Sequence, residues 1–196
     1  NQDAFIHVSS ALKVLALAQL KIDEDLLLMT CGPRTGLGEI ELPALQPGSS
    51  IMPGKVNPVM LEMLNMVCYQ VVGNDQAIAM ATQAGRLELN VFMPIMMHNL
   101  LQSLGLLRNA LRVFTERCVL GIRADEARCN FYFSRSTCLV TALTPKIGYE
   151  KAAEIAREAV ARDKGIRELL LEKGLLTEAE ADEVLSPERL TGRSPV

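Results

Sequence analysis

Between Asp3 and Met29, Phe5, Val8, Leu12, Leu15, Leu20, Ile22 and Leu26 recur at spacings of two to five residues. That pattern loosely fits a long amphipathic helix with a broad apolar face. Cys31-Gly32-Pro33 predicts its end, because Gly suits the C-terminal turn and Pro cannot continue a helix. From Gly32 to Pro58 glycines and prolines crowd the chain, predicting a loop of about 25 residues, uncommon inside a compact domain unless functional or disordered. The loop also carries Leu37, Ile40, Leu42, Leu45, Ile51 and Met52, which argues for a shaped loop over a linker. Pro58 suits the first turn of the next helix, with Asn57 as its cap. Residues 59–81 are apolar nearly all round, a rod of roughly 35 Å. A helix without a polar face has to be covered on every side, so other chains are expected around it. Gly85 to Asn90 predicts a break, and Pro94 opens another long helix to about Cys118. From Gly121 the segments shorten and charge rises. Thr177 and Glu180 have the spacing of a capping box before 181–185. The pattern divides the chain into residues 1–122, with the loop at 32–58, and a small helical domain at 123–196.

The composition sharpens this to an all-α fold. Of 196 residues, 49% are hydrophobic but only 4% aromatic, with nine Met and no Trp. A β-sandwich would call for more β-branched and aromatic residues. The 20 basic and 23 acidic residues are interspersed, with a net charge of -3, which excludes an electrostatic footprint for nucleic acid. No uninterrupted apolar run approaches the roughly 20 residues that span a bilayer, so no membrane partner is expected. Cys31, Cys68, Cys118, Cys129 and Cys138 show neither CxxC nor metal-ligand spacing. They are expected to be reduced, small buried hydrophobes in a cytoplasmic protein, with no metal and no cofactor. With neither an initiator Met nor a signal peptide, the chain reads as a piece cut just before or inside a helix.

The richest chemistry lies at Gly48-Ser49-Ser50-Ile51-Met52-Pro53-Gly54-Lys55-Val56-Asn57-Pro58. It is not a phosphate-binding P-loop: five residues separate Gly48 from Gly54 where that motif has four, and Val56 stands where Ser or Thr would hold Mg²⁺. What remains is two hydroxyls, flexible backbone amides, an ammonium and a side-chain amide just before a helix N-terminus, which carries roughly half a positive charge. The expected ligand is a small carboxylate or phosphate. Taken alone, a Ser-Ser pair in such a loop would be a turn, Lys55 a solvated charge and Glu62 a buried structural acid.

This run resembles the signature of the fumarase/aspartase superfamily. Its flanks agree: Gly32-Pro-Arg-Thr-Gly-Leu-Gly-Glu-Ile-Glu-Leu-Pro43 before it, and Val71-Val-Gly-Asn-Asp75, Leu89-Asn90-Val91, Ala142-Leu-Thr-Pro-Lys-Ile-Gly-Tyr149 and Gly174-Leu-Leu-Thr177 after it. What matches is the C-terminal part of a family member. The resemblance implies that residues 1–122 are the C-terminal portion of a central helical bundle, within an all-α homotetramer whose active sites draw on three subunits. It further implies anti elimination from a succinyl compound to give fumarate, through an aci-carboxylate dianion that fixed donors must stabilise.

By the same resemblance Ser49 is the catalytic base, its alkoxide stabilised by amides, Lys55 and the helix end. Ser50, Lys55 and Asn57 bind substrate carboxylates. Glu62 is the acidic partner of an active-site histidine that neither His7 nor His98 matches, so this chain alone is expected to be inactive. The stretches 57–65, with Val59 and Asn65, and 83–90 lean towards the aspartase branch, with L-aspartate and fumarate as the dicarboxylate pair, over fumarate hydratase. Leu27 replaces an Arg usual in the family, Thr30-Cys31 a small serine-type pair, and Thr144 the commoner Asn. The rival from another class is a non-catalytic helical oligomer on the same scaffold.

Overall fold

A computed structural model describes residues 1–192. The chain forms two compact units, Asn1–Asp125 and Glu126–Val196. In the first, three long helices follow the breaks read from Gly and Pro: α1 (Asp3–Thr30), α2 (Val59–Gln83) and α3 (Met93–Arg117). Helix α2 packs against both α1 and α3. Their shared core holds Ala16, Leu61, Leu64, Cys68, Val71, Leu107, Ala110, Phe114 and Cys118.

Polar residues are threaded through this core, and consecutive residues of α2 serve opposite neighbours. Asp75 accepts hydrogen bonds from Ser9 Oγ (2.7 Å) and Lys13 Nζ on α1. Asn74 donates to Gln102 Oε1 (2.9 Å) and Ser103 Oγ (3.0 Å) on α3. Burial disfavours a charged Asp75, yet the bonds from Lys13 and Ser9 outweigh it and hold the carboxyl below its ordinary range. Asp23 on α1 is different. It is fully buried, receives one bond from Gln19 (3.0 Å), and its Oδ2 has no partner. Burial, opposed by Gln19 and reinforced by Glu24, pushes its carboxyl up to about 6.

Two expectations change here. Helix α1 has an 18-residue window of mean hydropathy 1.4, enough by length and composition to cross a membrane. Its polar residues interrupt every run but are too sparse to lower the average. Helix α2, whose pattern calls for cover from other chains, leaves Met66, Tyr69 and Met80 exposed within this one. Nor are all five cysteines buried, since Cys31 and Cys138 are exposed and Cys129 half-buried. The two that are buried have their thiols pushed up, Cys68 to about 11, by burial and by the charge of Asp23.

The long loop between α1 and α2 is fastened at its foot. Strand β1 (Ile40–Glu41) pairs antiparallel with β2 (Arg123–Ala124), and the Asp125 amide donates to Glu39 O (2.9 Å). A Cβ at Gly121 would lie 2.4 Å from Pro43 Cγ, so only glycine allows the two segments to approach this closely. This two-residue ladder is a small exception to the all-α reading. Between α2 and α3, Arg86 and Leu89 exchange both backbone hydrogen bonds across a tight turn. Leu87 and Glu88 at its tip have left-handed φ of 43° and 68°.

The second unit contains α4 (Glu126–Arg135), a 3₁₀ segment (Thr137–Leu143), α5 (Thr144–Ile147), α6 (Tyr149–Arg162), α7 (Ile166–Glu172), α8 (Glu178–Val184) and α9 (Pro187–Thr191). Leu143, Ile155, Ile166, Leu169, Leu170 and Ala181 close into one core. The expected capping box is present: Thr177 Oγ1 accepts from the Glu180 amide (3.3 Å), and Glu180 accepts from the Thr177 amide (2.9 Å).

Candidate active site

The signature loop is held together by its own backbone. The Gly48 amide donates to Lys55 O (2.7 Å), and the Lys55 amide donates to Met52 O (3.2 Å). Gly54 makes the turn between them at φ 79°, a left-handed conformation that glycine adopts without steric cost. Inside the turn the half-buried Ser49 Oγ accepts from the amides of Ile51 (3.2 Å) and Met52 (3.1 Å). Two donors aimed at one hydroxyl oxygen favour its deprotonated form over the neutral one. These amides, with Gly48, are the partners that sequence reasoning did not single out by position. The available signal was a Ser followed two and three residues later by free N–H groups, the pattern of a local Ser turn.

Asn57 differs from its expected place. Pro58, not Asn57, is the residue that caps α2, and no side chain caps that helix. The Asn57 side chain instead donates through Nδ2 to Gly48 O at 3.1 Å. The helix starts one residue later than expected, with Pro58 at the cap position, so the Asn57 side chain turns to the Gly48 carbonyl while its own carbonyl takes the Val59 amide (2.9 Å).

Ser50 and Lys55 are exposed on the loop, and Glu62 is exposed in the first turn of α2. No hydrogen bond or ion pair brings these three side chains together among the described residues. His7 and His98 are also exposed. A shallow, open crevice at the loop's base is lined by Leu42, Pro43, Pro58, Val59, Arg117 and Cys118 among others. No cluster of three His, Cys, Asp or Glu suited to a metal occurs among the described residues. Chemically, the loop offers a hydroxyl oxygen that accepts two backbone amides, an exposed ammonium and a side-chain amide.

Two families match the chain: one described as "Lyase" over residues 1–73, the other as "Fumarase C C-terminus" over residues 139–192. The aspartate ammonia-lyase of Bacillus subtilis (strain 168) is 51% identical over 97% of the chain and 40% of that protein. A class II fumarate hydratase of Thermosynechococcus vestitus is 47% identical over 97% of the chain and 41% of that protein. Among solved structures, a fumarate lyase:delta crystallin from Brucella melitensis superposes with a TM-score of 0.88 at 48% identity, over 95% of this chain and 42% of that one. The chain therefore spans about two fifths of the length of the relatives it matches.

Proposed function

The chain belongs to the fumarase/aspartase superfamily, and on that premise we propose that the protein containing it is an aspartate ammonia-lyase, releasing ammonia from L-aspartate to give fumarate. The observation that carries this reading is Ser49, its Oγ receiving two backbone amides within an intact signature loop. In the reaction Ser49, as alkoxide, takes a proton from the carbon next to the distal carboxylate. The electron pair left behind spreads into that carboxylate as an aci-carboxylate dianion. It then returns to form the carbon–carbon double bond as the carbon–nitrogen bond breaks and ammonia departs with its bonding pair. Fixed donors in a water-poor site make the dianion accessible. Ser50, Lys55 and Asn57 hold the substrate carboxylates, and Glu62 orients a histidine contributed from outside residues 1–196.

The exposed apolar surface of α1 to α3, including Val14, Leu17, Met66, Tyr69 and Leu101, supports a homotetramer whose helices cover one another, with the same surface explaining the hydropathy of α1. Its place is the cytoplasm. Aspartate ammonia-lyases are among the most similar relatives, and the stretches at 57–65 and 83–90 point the same way. A second reading, fumarate hydratase, is favoured by the 47% identical relative that bears that name. The deciding measurement is fumarate absorbance after adding L-aspartate or L-malate to the whole protein. Fumarate from aspartate is expected; fumarate from malate alone assigns a hydratase, and none from either leaves the non-catalytic scaffold.

A further inference from the structure

We propose that Gly48 and Asn57 form a neck that carries Ser49 and its two amide donors as one preformed unit, so that both act as positioning residues for the base. The inference rests on the reading of Ser49 as that base. Gly48 is gripped on both sides: its N–H donates to Lys55 O at 2.7 Å, and its carbonyl accepts from Asn57 Nδ2 at 3.1 Å. A Cβ at Gly48 would lie 2.8 Å from both Asn57 N and Lys55 O. That is closer than real Cβ atoms approach backbone, so any side chain here parts the strands of the neck. Above it, residues 49–54 contain the whole Ser49 turn with the Ile51 and Met52 amides, and the Met52 carbonyl accepts from the Lys55 amide of the neck. None of those bonds reaches beyond the neck. The donor geometry at Ser49 is therefore set by residues 48 and 55–57 and is present without substrate. Asn57 spends one of its two N–H donors on Gly48 and keeps the other for a carboxylate. One side chain thus couples loop shape to substrate contact.

Hydrogen exchange on the full-length protein, without substrate and resolved to single amides, tests this. In the wild type the Gly48, Ile51 and Met52 amides are expected to exchange more slowly than the Ser50 amide, which has no such partner. In Gly48→Ala all three should speed up by on the order of tenfold. Turnover should fall on the order of a hundredfold, as for a misplaced catalytic group, with KM changed far less than kcat. In Ser49→Ala only Ile51 and Met52 should speed up, because the neck survives loss of the hydroxyl. A Gly48 amide as fast as Ser50 in the wild type overturns the proposal. So does Gly48→Ala with Ile51 and Met52 still slow, or Ser49→Ala with Gly48 released. If Gly48→Ala does not fold, the wild-type and Ser49→Ala measurements still decide. A protected neck in a protein that makes no fumarate from aspartate or malate would refute the lyase reading and leave the neck standing.

Discussion

The two units bury their apolar residues to different degrees. In the C-terminal unit Leu143, Ile166, Leu169, Leu170 and Ala181 are fully enclosed by short helices that turn back on one another. Its charges sit outside, where Arg162 and Lys164 both pair with Glu172. The N-terminal unit has helices of 25 to 28 residues that cannot fold back, so they bury one stripe and leave Val14, Leu17, Met66 and Leu101 in the open. Its interior also holds Asp23, Asn65, Asn74, Asp75 and Ser103. One unit completes its own core. The other carries the signature loop and leaves much of the apolar surface of its long helices uncovered within the chain.

The contrast breaks most sharply at Ser49. On the proposed lyase reading, Ser49→Ala in the whole protein is expected to lower turnover by about 10²–10⁴-fold, the usual range for a lost general base, with its size by light scattering unchanged. Near-normal turnover, or a dissociated assembly, would count against the assigned role. Next is the closed core of the C-terminal unit: Leu169→Ala should cost about 2–5 kcal/mol by the loss of buried contacts. Chemical denaturation followed in this unit would expose a smaller effect as evidence that its core is looser than drawn.

Asp23 tests the other unit through pH. Its folded-state carboxyl is raised to about 6 from an ordinary 3.8, so between those values the folded chain binds more protons than the unfolded one. Stability should therefore fall as pH rises from about 4 to about 6 and then level off, a change of about 3 kcal/mol for a shift of about two pH units. Asp23→Asn should flatten that stretch of the thermal-stability profile; an unchanged slope would place the proton elsewhere. The smallest effect is at the C-terminal unit's surface. Thr177→Ala removes a reciprocal cap and should cost about 1 kcal/mol, measurable as a modest fall in melting temperature with turnover retained.

Much of the helical layout was legible because helix ends are local. Gly32-Pro33 closes α1, Pro58 and Pro94 sit at the starts of α2 and α3, and Thr177 with Glu180 caps α8, each through residues within a few positions. Asn57 was misplaced for an instructive reason. As a cap it needed only the next turn of helix, but the Gly48 carbonyl, nine residues back, came within reach once the loop closed. The exposed thiols of Cys31 and Cys138 were equally illegible, because burial of a small side chain depends on what packs over it.

By itself, then, the sequence determined where helices begin and end, that the fold is all-α, and which family signature the loop carries. Those features depend on residue chemistry and on contacts between near neighbours. Tertiary structure alone decided that Asp75 faces Ser9 and Lys13, that Asn74 faces Ser103, and that the loop is pinned by Pro43 against Gly121 and by β1 against β2. These pairs lie far apart along the chain. Whether such groups meet is set by how the helices pack, and no local preference encodes that distance.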